Sequence, residues 1–516
     1  MTTIPPAAAQ PAPAPFRAAA LARSGLLTPT AAVLALCFLQ LLFWTLVPAL
    51  SRSALPRNVI EGYGWAREWI VLSYKHPQLP AWCLGLSRFL YGGIGWPAYL
   101  VSQIFVCVTY IFVFLLGRDL VGGRHAAAGT LFLAGCYFFT WPTVQFDHNV
   151  AQMPFWAAIA WCLWRASGQD RPGWWLALAA AAGLGMYAKL STGLLLLACL
   201  AWLLADRQAR ARFAGIGPWL ALAVFVLLVC PLLYELWALD FQPLKYMSAE
   251  SAGLRHNPLF FIAKEIGDNA ALFVLIGVVL FAARGREQTA GPFTLERRRW
   301  IFLLLVGVAP LACVALASLR GDINAGWAAP MYNLVGLVVV GLLGSRLTAR
   351  AFDYLAVSAL GLVVLFALAL PATEIWQSMA AQPRSTALWP EAAIASRFEA
   401  LWRAKTGAPL AVVGGDPWIA GLIADPLPQA RVFTELDPSE APWITADTVE
   451  QKGLLVVWRA GSEPAQVADL ETASPASIFG QETFIWSRAD RAEPLRIAYL
   501  LLPPGNRAGA FLRRQN

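Results

Sequence analysis

The strongest constraint on this chain is its succession of apolar runs. They fall at about 30–50, 97–117, 126–143, 150–165, 174–187, 190–205, 215–236, 268–284, 300–318, 328–345 and 352–371, many of them roughly 17–22 residues long. Runs of that length cross the hydrocarbon of a bilayer as helices. Lipid offers no water to backbone polar groups, so helices or closed barrels are the only spanning solutions. Of the 516 residues, 58% are hydrophobic and 14% charged, where a soluble chain averages about 25% charged. The expected fold class is an all-α polytopic membrane protein with about eleven transmembrane helices.

The net charge of +8 therefore speaks of orientation and gives no sign of nucleic-acid binding. Clustered arginines lie in the connections 118–125, 165–173, 206–212, 284–299 and 346–350. The positive-inside rule puts all five on the cytoplasmic side. That parity requires residues 78–92 to lie in the interface without crossing. It places 51–96, Phe146–Asn149, the turn at Lys189, the loop 237–266, residues 319–327 and everything after 372 outside. Residues 1–29 are rich in Ala and Pro and are expected to form a disordered cytoplasmic tail.

Beyond residue 372 charges rise and apolar runs shorten to strand length, at 408–415, 453–460, 482–487 and 495–502. A helical stretch at 389–405 lies among them. This predicts a small α/β domain. Its Val412–Asp416 stretch lacks the glycine spacing of a dinucleotide site and is expected to be a plain strand-to-helix turn. The eight cysteines lie almost entirely in apolar runs, with no CxxC, and are expected to be small buried residues.

The chemistry concentrates in residues 57–82, RNVIEGYGWAREWIVLSYKHPQLPAW. This stretch is too polar for lipid. Charges interleaved with Trp and Tyr suit the membrane–water interface. Glu61 can take a proton, and Arg57, Lys75 and His76 can hold an anion. Glu68, two helical turns further on, is expected to pair with Arg67 or Arg57. Asp147-His148-Asn149 stands at the mouth of two spans, where Asn149 could equally cap a helix. Lys189 lies between two apolar runs and needs water or a partner. Lys245, Arg255, His256 and Lys264 crowd the outside loop 237–266, and Arg320 and Asp322 lie in another. His148, His76 and Asp147 form the one candidate metal set. No metal and no cofactor is expected.

The wording of these motifs resembles a known family. An acid in the first outside loop followed by YKHPQLPAW is similar to the GT-C family 39 glycosyltransferases, which use polyprenyl-phosphate sugars. They include protein O-mannosyltransferases, the lipid A aminoarabinose transferase and rhizobial lipopolysaccharide galacturonosyltransferases. Gln78 stands where a second Pro is common, and Asn58 where many relatives have another acid. The resemblance implies that Glu61 and Asp147 are catalytic. It gives Lys75, His76, Lys189 and Arg57 to the donor phosphate, and Lys189-Leu190-Ser191-Thr192-Gly193 loosely matches a family element. Lys245, Arg255 and Arg320 would meet an acceptor or lipid headgroup. Residues 30–372 would form the GT-C catalytic domain, and 373–516 a periplasmic domain. The implied activity is inverting transfer from a polyprenyl-phosphate sugar to a periplasmic glycolipid at a bacterial inner membrane, with the bilayer as the other partner. Protein O-glycosylation, an O-antigen-ligase-like reaction and lipid-linked saccharide transport are the alternatives.

Overall fold

The computed structural model describes residues 26–169, 171–252, 258–284, 293–319, 325–379, 385–487, 493–509 and 513. The expectation for 1–29 falls almost wholly outside them, as do Arg255, His256, Arg320 and Asp322. All eleven apolar runs appear as helical segments. Among the described residues, five helices are long and apolar enough to cross a membrane alone, and three bent helix pairs raise that number to eight.

The first helix, Pro29–Ser51, shows how these segments sort lipid from core. Thr28 caps it by accepting from the Ala31 N–H, and Pro29 opens it. Leu34, Phe38, Leu42, Leu46 and Leu50 recur every four residues and form an exposed stripe. Leu36, Gln40 and Trp44 on the opposite face are fully buried. There Gln40 Nε2 donates to Gln103 Oε1 at 2.8 Å, joining the first helix to Pro97–Val121. One expected span is not continuous. The run 126–143 is α-helical only over Gly123–Phe132 and then breaks into three 3-10 turns. Pro142, in the last of these, has no N–H with which to continue an α-helix.

The Arg-rich connections gather on one face of the bundle. Arg165 holds Asp119 at 2.5 and 2.6 Å, and Arg298 holds Asp206 at 3.0 and 3.2 Å. Arg299 donates to the Leu120 carbonyl at 2.5 Å, and Arg212 to the Ser167 carbonyl at 3.3 Å. Four of the five connections thus meet in one network, as their common side requires. The interfacial segment 78–92 is a short helix, Leu79–Tyr91, ended by Gly92.

At the opposite face sits the α/β domain. Its five strands are β1 Val412–Gly415, β2 Arg431–Thr434, β3 Leu454–Arg459, β4 Ile478–Phe484 and β5 Leu495–Leu502, in the order β2-β1-β3-β5-β4. β1 is parallel to β2 and β3, while β5 is antiparallel to β3 and β4. Sequence reasoning missed β2, a four-residue edge strand, and set β4 a few residues late. The turn after β1 is a strand-to-helix turn. Gly415 has φ +98°, and a Cβ there would lie 2.2 Å from the Val457 carbonyl oxygen. Asp416 caps the following helix, Pro417–Ala424.

The domain is fastened to the first outside loop. The last membrane helix, Ala349–Met379, runs past residue 372, and its buried Glu374 pairs with Arg52. Ser53 and Ala54 N–H groups both donate to the Ala387 carbonyl, at 2.7 and 3.1 Å. Leu55 N–H donates to Glu391 at 2.8 Å, and Trp418 Nε1 to the Leu55 carbonyl at 3.2 Å. Helix Pro417–Ala424 lies so close to helix Arg57–Ala66 that a Cβ on Gly421 would fall 2.2 Å from Ile60 Cγ2.

Candidate active site

Helix Arg57–Ala66 presents Glu61 on the polar side of a buried apolar face made by Val59, Ile60 and Tyr63. After a break at Trp69 the chain returns through residues 70–78. A single bridge between Leu72 and Pro77 folds this return into a tight hairpin. That turn carries Lys75 back to Glu61, where Nζ and Oε1 are 2.6 Å apart and both side chains are mostly buried. The ammonium also lies 5.0 Å from the Tyr74 ring centroid and 5.3 Å from that of Tyr246. Burial pulls the Lys75 ammonium towards neutrality. The Glu61 carboxylate and its hydrogen bond, helped by Tyr246, outweigh this, so the net direction is upward and Lys75 stays charged.

His76 and His148 lie beside this pair, with ring centroids 4.3 Å apart and planes tilted by 47°. His148 Nε2 lies 3.0 Å from the Pro77 carbonyl oxygen and donates to it. Burial, then His148, Lys189 and Lys75, hold His76 well below its ordinary value. Without an anion beside it, these surroundings favour the neutral imidazole of His76.

Asp147 caps helix His148–Gly168, so the cap is the aspartate and Asn149 follows it. Its Oδ1 accepts from Asn149 N at 2.8 Å and Val150 N at 3.0 Å. Its Oδ2 accepts from Asn149 Nδ2 at 3.1 Å and Asn58 Nδ2 at 3.3 Å. Asn149 Oδ1 in turn accepts from Lys189 Nζ at 2.6 Å, and Lys189 lies 5.5 Å from the Trp327 ring centroid. Ser191 Oγ donates to Gln152 Oε1 at 2.9 Å. Asn58, where relatives carry an acid, thus ties the Glu61 helix to the Asp147 cap, and Asn149 ties that cap to Lys189.

Several expectations do not converge on this point. Glu68 pairs with neither Arg67 nor Arg57. Its partner is Arg431 of the α/β domain, at 2.6 Å, a contact between segments too distant in sequence to be foreseen. Arg57 is exposed at the start of its helix, near enough for its charge to bear on Lys75. Lys245 pairs with Asp240 at 2.5 Å in an exposed position, while its neighbour Tyr246 reaches the Lys75 ammonium. No group of three or more His, Cys, Asp or Glu arranged to hold a metal ion occurs among the described residues. The α/β domain adds residues that sequence reasoning missed. Trp443 packs on the cluster of Trp65, Ala66, Tyr74 and Ala81, and together with Thr434 and Val432 walls a narrow crevice that reaches Glu61.

Comparison with known proteins gives this arrangement a class. Residues 75–235 match the family described as dolichyl-phosphate-mannose-protein mannosyltransferase. The fold is similar to crystal structures of ArnT from Cupriavidus metallidurans. One, bound to undecaprenyl phosphate, matches with a TM-score of 0.59 and 12% identity over 90% of this chain and 97% of that one. The apo form matches at 0.57 and 12% over 91% and 98%. A search of the curated proteins gives no match. The chain is thus a multi-pass membrane protein with the GT-C fold, and one segment of it matches a mannosyltransferase family model.

Proposed function

We propose that this protein is an inverting glycosyltransferase that moves a sugar from a polyprenyl phosphate to a hydroxyl of a glycolipid. The acceptor we favour is the lipid A–core region of lipopolysaccharide, on the periplasmic face of a bacterial inner membrane. The carrying observation is the Glu61–Lys75 pair, 2.6 Å apart at the end of a crevice between the membrane bundle and the α/β domain. The undecaprenyl phosphate seen in ArnT, whose fold this chain shares, supports a polyprenyl-phosphate donor.

In this reading the donor phosphate competes with Glu61 for Lys75. Lys189 and Arg57 supply further positive charge, and His76 donates a hydrogen bond. Losing Lys75 to the phosphate leaves Glu61 a free base. The acceptor oxygen attacks the anomeric carbon from the face opposite the phosphate, and its proton passes to Glu61. The anomeric C–O bond to phosphate breaks, and its electron pair leaves on the polyprenyl phosphate, whose growing charge the lysines balance. Asp147, with four donors on its carboxylate, acts as a positioning residue for Asn58 and, through Asn149, for Lys189.

The test is mass spectrometry of membrane glycolipids from cells with the wild type, a deletion or Glu61→Gln. A one-sugar mass difference should disappear in the deletion. Glu61→Gln should lower transfer about 10²–10⁴-fold while the purified protein keeps its elution volume and melting temperature. Full complementation by Glu61→Gln would overturn the base assignment.

A further inference from the structure

A second cavity opens on the other side of Trp443 from Glu61. It measures about 340 Å³ and lies between the first outside loop, the end of helix Gly217–Ala238 and the segment 439–443 of the α/β domain. Such a volume is within the roughly 300–1,000 Å³ range of small-molecule sites. Its aromatic walls are Trp69, Tyr74 and Trp443, and its carboxylates are Glu68, Glu235 and Glu440.

Three features set this cleft apart from ordinary surface. Trp69 takes a left-handed backbone, φ +48°, which a large aromatic residue rarely adopts, and its ring remains 63% exposed on the rim. Glu440 Oε2 is buried and takes no hydrogen bond of good geometry, although the Tyr74 hydroxyl lies beside the carboxyl, so it has room to accept one from a ligand. No Lys or Arg is among the described residues lining the cleft, and the nearby Arg431 is already paired with Glu68. Flat aromatic faces accept the C–H face of a sugar ring, and carboxylates accept its hydroxyl hydrogens. An anionic group would meet carboxyl groups and no Lys or Arg among the described residues lining the cleft.

We propose that this cleft is a saccharide subsite for a neutral, hydroxyl-rich sugar of the acceptor. The sugar stacks on Trp443 and Trp69 and donates a hydroxyl hydrogen to Glu440. The inference rests on the transferase reading above and narrows it. Trp443 belongs to both the cleft and the Glu61 crevice, so a saccharide held here extends its next unit towards the base. The acceptor hydroxyl then belongs to an uncharged core sugar, and a phosphate-bearing unit of lipid A is disfavoured.

Saturation-transfer NMR on the detergent-solubilised full chain tests this with methyl glucoside, galactoside and mannoside against the corresponding sugar 6-phosphates. At least one neutral glycoside should receive saturation, with the phosphates about tenfold weaker or silent. Trp69→Ala alters only an exposed rim ring and should weaken the signal. Trp443→Ala should weaken it about tenfold, with elution volume reporting whether the domain stays docked. The inference is overturned if the phosphates bind better, if no neutral glycoside binds, or if Trp69→Ala and a folded Trp443→Ala both leave the signal unchanged. Consumption of a polyprenyl-phosphate sugar, measured in the same preparations, separates the two readings. Glu61→Gln should abolish consumption and keep glycoside binding, whereas a wild type that binds glycosides but consumes no donor removes the transferase reading alone.

Discussion

Lys75 has two claimants, and its chemistry follows from that. In the absence of donor it sits 2.6 Å from Glu61 between two tyrosine rings. In the proposed mechanism the donor phosphate draws it away, and the departure frees the base. Charge and geometry can be separated by substitution. Lys75→Met should lower kcat/KM for the donor about 10²-fold or more, the scale of losing one stabilising cation. Lys75→Arg keeps the charge and should recover part of that loss, chiefly in donor KM. Equal losses in both variants, measured by steady-state transfer, would refute the shared-cation mechanism. Glu61 and Lys75 were readable in sequence because both lie in one motif and each brings a chemistry the reaction needs. Trp443 and Glu440 were not readable. They arrive from a segment remote in the chain, and a tryptophan or glutamate there carries no local pattern that points to a partner.

Helix His148–Gly168 links the site to the bundle through its first residue. Asp147 offered two sequence readings, catalytic acid or structural residue, with Asn149 a candidate for the helix cap. The structure gives the cap to Asp147 and the link to Lys189 to Asn149. A two-residue shift is natural, because Asp and Asn cap equally well and only backbone geometry decides between them. The two roles predict different substitution patterns. Asp147→Ala removes the cap and the tie to Asn58, and should cost about 1 kcal/mol of stability, together with a weakened donor KM through Lys189. Asp147→Asn keeps one acceptor oxygen and should restore most of both. If Asp147 were a proton-transfer residue, asparagine would be as inactive as alanine. Thermal unfolding read beside donor KM distinguishes the cases. The membrane helices were the most legible elements, since apolar length alone declares them. The 3-10 turns after Phe132 and the edge strand Arg431–Thr434 were least legible, being short and set by tertiary contacts.

The whole molecule depends on how firmly the α/β domain is seated over the first outside loop, because the crevice at Glu61 has walls from both. Arg67 is central to that seat. It reaches five carbonyl oxygens after helix Pro417–Ala424, those of Ala424, Asp425, Leu427, Pro428 and Ala430, at 2.5–3.3 Å. Arg88 adds a bond to the Asp425 carbonyl at 3.0 Å. Between these guanidinium groups the Asp425 side chain is fully buried, its oxygens have no hydrogen-bond partner, and Arg67 Nε is 3.8 Å away. Burial raises the Asp425 carboxyl from 3.8 to about 7, against the pull of Arg67 and Arg88 and with a small push from Glu391. Burial likewise raises Glu391 to about 6 and Glu440 to about 7. A carboxyl whose value is higher in the folded protein binds its proton more tightly there than when unfolded. Its contribution is complete below about pH 4 and is lost as the pH rises through about 7. The domain should therefore be seated more firmly at pH 5.5 than at pH 8.5, the reverse of a carboxylate held by a strong ion pair. Limited proteolysis and thermal unfolding across that range would show it as faster cleavage between the bundle and the domain, and a lower melting temperature, at the alkaline end. Asp425→Asn removes the largest titrating group, so it should flatten the slope and raise the alkaline melting temperature towards the acidic one. The residual slope should fall further with Glu391→Gln. An unchanged slope in Asp425→Asn would mean that the seat is held by the Arg67 carbonyl contacts alone, with Asp425 a bystander in its own buried site.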